Sequence, residues 1–96
     1  MHTLTQVLDL GFNNIGDDGM RSLADAFAKG ALKNCTQLFL SDNKIGNDGM
    51  CSLADALANG ALAPRAMVGV QDNNATEAGK QAVRDATKGC GRKVYI

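Results

Sequence analysis

Apolar residues along this chain fall into two alternating patterns. Leu8 and Leu10 alternate with Val7, Asp9 and Gly11, the two-residue period of a strand with one buried face. Met20, Leu23, Ala24 and Phe27 then follow at the i, i+3, i+4, i+7 spacing of a helix stripe. Asp17 and Asp18 stand where that helix begins, placed to cap its free N–H groups and to meet the positive end of its dipole. Gly30 follows the last turn, where a left-handed backbone is cheap only for glycine. The pattern then starts again: Leu38 and Leu40 alternate, Met50, Leu53, Ala54 and Leu57 form a stripe, and Gly60 closes it. A third passage has Val68 and Val70, Thr76 as the expected cap, and Val83 in a weaker stripe. Each passage predicts strand, tight turn, helix and return loop.

The recurrence is a repeat in the strict sense. Residues 8–34 and 38–64 share 17 identities in 27 positions at an offset of 30. A further step of 30 reaches Val68-Gly69-Val70 and Asn73, with Gly79, Val83, Asp85 and Ala86 in phase. Val94-Tyr95-Ile96 resembles the start of a fourth strand that arrives about four residues early. The units are read as about 5–34, 35–64 and 65–92, with a partial strand at 93–96, in one domain spanning 1–96.

These residues resemble the leucine-rich repeat, and within it the ribonuclease-inhibitor-like subfamily with long helical units. The pattern LxxLxLxxNxL is readable from Cys35 through Leu38, Leu40 and Asn43 to Ile45, with cysteine in place of the first leucine. The following segments match from Gly46 to Gly49 and from Leu53 to Leu57. The resemblance covers about residues 4–92 and implies a right-handed α/β solenoid: parallel strands inside, helices outside, a ragged fourth strand. Two departures stand out. Leu4-Thr5-Gln6-Val7-Leu8 is one residue longer than its counterpart, so the first strand is expected to bulge. Ala75 and Thr76 replace the Ile-Gly pair, so the third turn is expected to be looser.

Asn13, Asn43 and Asn73 recur at the repeat offset. A turning chain leaves backbone N–H and C=O groups without partners, and an amide side chain offers donors and acceptors together. Stacked units would place these residues in a structural ladder, as the family does. A polar row that binds a ligand is the alternative.

Composition removes several function classes. Ten basic and ten acidic side chains leave no net charge, which argues against a nucleic-acid partner. No apolar run approaches the ~18 residues of a membrane span, and no leader of basic then apolar character opens the chain, so a cytoplasmic protein is expected. Cys35, Cys51 and Cys90 are odd in number and lack metal-site spacing, and read as idle thiols. His2 is the only histidine and lies beside the chain start, so no general base is evident. The acidic turn from Asp42 to Gly49 is interrupted by Lys44 and Ile45 where a calcium loop needs oxygen ligands. No catalytic residue, metal or cofactor is expected.

Binding chemistry is left to the strand positions that face away from the buried leucines. These are Asp9, Gln37, Phe39, Ser41, Met67 and Gln71, with Phe12 and Asp42 at the rim. Phe39 is the expected anchor, because interfaces concentrate their energy on aromatic residues. The expected function is a non-enzymatic protein–protein interaction module or scaffold. A GTPase-activating regulator, since Ran GTPase-activating protein carries similar repeats, and a structural piece of a longer array are the alternatives. Charge also divides along the chain, near −3 before residue 65 and near +3 from there on. That asymmetry raises the expectation of head-to-tail self-association.

Overall fold

The computed structural model describes residues 6–63, 65–88 and 93–96. His2, Leu4, Thr5 and Cys90, singled out above, lie outside the described residues. Four strands and three helices alternate in chain order: β1 (Gln6–Asp9), α1 (Asp17–Ala28), β2 (Cys35–Phe39), α2 (Asn47–Ala58), β3 (Met67–Gly69), α3 (Glu77–Thr87) and β4 (Lys93–Tyr95). The strands form one parallel sheet in the order β1-β2-β3-β4. Parallel neighbours need a crossover, and each crossover here holds a helix. The chain is therefore an α/β repeat solenoid. The fourth strand is a regular member of the sheet: Val68 pairs with Val94 and Gly69 with Tyr95.

The core lies between sheet and helices. Leu38 and Val68 from the strands and Leu40, just past β2, meet Met20, Met50, Leu53, Leu57 and Val83 from the helices, all essentially without solvent contact. Burying each such side chain stabilises the fold by about 1.5–3 kcal/mol. Hydrogen bonds carry the ladder past the strand ends: Leu10 N–H donates to the Phe39 carbonyl at 2.8 Å, Leu40 to Gly69 at 2.7 Å and Val70 to Tyr95 at 2.8 Å.

Three expectations need correction. The irregularity in the first pairing does occur at Gln6/Val7, but the unmatched residue is Thr36, in β2 and not in the edge strand. Gln6 pairs with Cys35 and Val7 with Gln37, while the Thr36 hydroxyl donates to the Gln6 carbonyl at 3.0 Å and fills the gap. The third turn is no looser in its bonding: Asn74 N–H donates to Ile45 at 2.9 Å just as Lys44 donates to Ile15 at 2.8 Å.

The helix caps are also different from the expectation. Neither Gly16 and its following acids nor Thr76 makes a side-chain cap within its own helix. The caps come from the preceding unit. The Asp17 carboxylate accepts from the N–H of Gly46 at 2.7 Å and of Gly49 at 2.9 Å, at the start of α2. Asn47 does the same for Thr76 at 2.9 Å and Gly79 at 3.0 Å, at the start of α3. This explains two glycines: a Cβ on Gly49 would stand 2.7 Å from the Asp17 carboxylate, and one on Gly79 2.5 Å from the Asn47 oxygen. Only glycine lets the capping oxygen come that close.

Candidate functional site

Alternation along the strands sends Leu8, Leu38, Val68 and Val94 to the core and their neighbours to the open face of the sheet. Register arranges those neighbours in rows. Val7, Gln37, Met67 and Lys93 form the first, and Asp9, Phe39, Gly69 and Tyr95 the second. Gly11, Ser41 and Gln71 continue where the chain leaves the strands, followed by Phe12, Asp42 and Asp72 at the rim.

The rim position has a fixed backbone. Phe12, Asp42 and Asp72 all have left-handed φ, at 61°, 57° and 58°. Bonds between units hold it, since Phe12 N–H donates to Ser41 at 3.2 Å and Asp42 N–H to Gln71 at 3.0 Å. Aspartate tolerates this conformation; a bulky aromatic ring does not, so Phe12 carries local strain. Its side chain is 80% exposed. Phe39, the expected anchor, is only half-exposed. Its ring edge lies over Gly69, where a Cβ would stand 3.1 Å from Cδ1, so the absent side chain of Gly69 is what seats the ring.

The two aromatic residues share a shallow concavity of about 540 Å³ with Asp9, Gly11 and Ser41. The Asp9 carboxylate accepts from Gly11 N–H at 2.9 Å, which fixes the side chain at the edge of this concavity. A second concavity, of about 480 Å³, opens at the other end of the strands among Thr36, Gln37, Arg65, Met67 and Lys93. The open face thus has an acidic, aromatic end and a basic end with a methionine. Among the described residues the ion pairs are Arg21–Asp18, Lys29–Asp25 and Arg84–Glu77, so none engages Asp9, Asp42 or Asp72.

Asn43 and Asn73 are turned to the backbone. The Asn43 amide donates to the carbonyls of Leu10, Leu40 and Ser41 at 2.9, 3.1 and 3.2 Å, and its oxygen accepts from Asn13 N–H and Ile15 N–H, both at 2.9 Å. Asn73 repeats this with Leu40, Val70 and Gln71, and accepts from Ile45 N–H at 3.0 Å. Asn13, in the edge unit, donates to Gly11 at 3.1 Å. With donors and acceptor so engaged, Asn43 and Asn73 have little left for a ligand.

Of the residues singled out from the sequence, Asp9, Phe12, Phe39 and Ser41 come together at one concavity, with Asp42 next along the rim. Gln37 and Met67 line the other, and Gln71 lies with Asp72 at a third cavity beside the rim of the third unit. The sequence reading missed Lys93 and Tyr95, which extend both rows by one strand. The signal was present, because Val94 and Ile96 keep the alternation of Val68 and Val70. Among the described residues, no cluster of three or more His, Cys, Asp or Glu side chains could hold a metal ion, and no helix is long and apolar enough to cross a membrane.

Comparison with known families agrees with this architecture. The leucine-rich repeat family model matches residues 2–24 and 36–54, the strand, turn and early helix of the first two units. No curated protein and no solved structure gives a significant match.

Proposed function

We propose that this chain, two of whose units match the leucine-rich repeat family model, is a non-enzymatic interaction module that binds a protein segment across the open face of its sheet and the adjoining rim. Leucine-rich repeat domains generally mediate protein–protein interaction. The observation that carries the placement is Phe12, a strained and exposed aromatic residue beside the seated ring of Phe39 in one concavity. The 12-residue helices α1 and α2 support the finer likeness to the ribonuclease-inhibitor-like subfamily.

Size sets the affinity. Four strands ~4.8 Å apart with about four residues each give an inner surface of roughly 250 Å². Stable complexes bury about 800 Å² on each partner. The sheet alone supports weak monovalent binding, and the rim residues enlarge it. Capture of partners from native extract by the parent chain and by Phe39→Ala tests the reading. The variant is expected to lose the captured protein while remaining folded, with a melting temperature lowered only by the lost packing of the ring on Gly69. Equal capture by both chains would remove the open face from the interface.

A further inference from the structure

The acidic end of the open face has a chemistry that the general reading leaves unspecified. Phe12 and Phe39 supply apolar surface in the 540 Å³ concavity, and Asp9 borders it. Asp42 and Asp72 occupy the same rim position as Phe12 in the next two units, so one aromatic residue and two carboxylates form a row. Among the described residues these three acids make no ion pair, although Lys44 is only two residues from Asp42. Arg65 and Lys93 line the opposite concavity, and Lys80 lines a cavity of about 410 Å³ with Asp72 without forming an ion pair with it.

We infer that the partner segment carries a bulky apolar side chain flanked by lysine or arginine, with the apolar group between Phe12 and Phe39 and the cations along Asp9, Asp42 and Asp72. This rests on the open face being the interface. Both contributions are needed: the aromatic contact supplies the anchor, and complementary charge selects the partner. A second copy of this chain is a poorer occupant. Its own basic and apolar stretch, Lys93–Tyr95, is already paired to β3 as a strand.

Fluorescence anisotropy with short labelled peptides tests the inference on the full chain. One peptide has a central leucine flanked by lysines, a second replaces the lysines with glutamates, and a third replaces the leucine with alanine. The lysine–leucine peptide is expected to bind ~10-fold tighter than its glutamate counterpart, as three exposed charge pairs allow, with the gap narrowing as salt is raised. Phe12→Asn should weaken the lysine–leucine peptide about five-fold, the scale of one modest aromatic contact, without lowering the melting temperature. The triple variant Asp9→Asn, Asp42→Asn, Asp72→Asn should abolish the preference for lysine. Equal binding of the lysine and glutamate peptides, a preference that survives the triple variant, or no binding of any peptide would each overturn the inference. So would concentration-dependent self-association abolished by Phe12→Asn, which would give the site to a second copy. Capture of partner by the parent and Phe39→Ala chains still decides the open face separately. A face that passes that test while the peptides show no preference keeps its place and loses only this chemistry.

Discussion

The first and second units share most of their sequence but not their surroundings. Leu8, Leu10, Ile15 and Leu23 are half-buried, whereas Leu38, Leu40, Ile45 and Leu53, their counterparts, have no solvent contact. Asn13 is exposed, and Asn43 is 6% exposed with five polar contacts to the backbone. A Cβ on Gly19 would approach only Ile15, while one on Gly49 would meet Ile45, Asp17 and Met20. The cause is position. Among the described residues, helix α2 packs against both α1 and α3, whereas α1 has α2 as its one helical neighbour. In a stacked array, a residue's contribution is set by its neighbours on both sides as much as by its own identity.

Paired substitutions break this comparison or sharpen it, with chemical denaturation as the common measurement. The largest effect is expected from Leu53→Ala, about 3 kcal/mol of stability lost, because a fully enclosed site cannot collapse around the missing atoms. Leu23→Ala should lose roughly half as much, its site being open to water. Equal losses would mean that the edge unit is as well covered as the centre.

Asn43→Ala comes next, at about 2 kcal/mol, for backbone groups of two units left without partners. Asn13→Ala should lie within about 0.5 kcal/mol of the parent, as surface substitutions usually do. An unchanged melting temperature for Asn43→Ala would sink the ladder.

The glycine pair tests the caps donated between units. Gly49→Ala is expected to lose about 1–2 kcal/mol, because the new methyl group would stand 2.6 Å from Ile45 Cγ2 and 2.7 Å from the Asp17 carboxylate, and both must give way. Gly19→Ala should be neutral or gain up to about 1 kcal/mol from helix propensity, with only the end of Ile15 to move. If both behave alike, Gly49 is not as closely enclosed by Asp17, Ile45 and Met20 as the structure places it.

Phe12→Asn comes after these pairs, and its sign is opposite to that of Leu53→Ala, Asn43→Ala and Gly49→Ala. Relief of the left-handed strain should raise stability by about 1 kcal/mol, since asparagine accepts the conformation that Asp42 and Asp72 already adopt. A loss of stability would show that the Phe12 ring packs in the fold and is not a free contact surface.

Much of this molecule was legible in one dimension. A strand period changing to a helix period, repeated at an offset of 30, dictates a parallel sheet with crossover helices, because each unit has one apolar face and can bury it only on the next. Gly30 and Gly60 were readable for the same local reason and do adopt positive φ, 94° and 77°. The asparagines were readable as a recurring polar residue inside an apolar register. The direction of the caps was not readable. Asp17 opens its own helix in sequence, and local propensity assigns its carboxylate there; only the stacking of units brings the Gly46 and Gly49 N–H groups within reach of it. Likewise, alternation places Phe39 and Gly69 on the open face, but the parallel register alone sets one beside the other and lets the ring lie over the glycine. Local chemistry depends on neighbours in the chain and is written in the sequence. Contacts across about 30 residues depend on how closely two backbones approach, and that distance exists only once the units have packed.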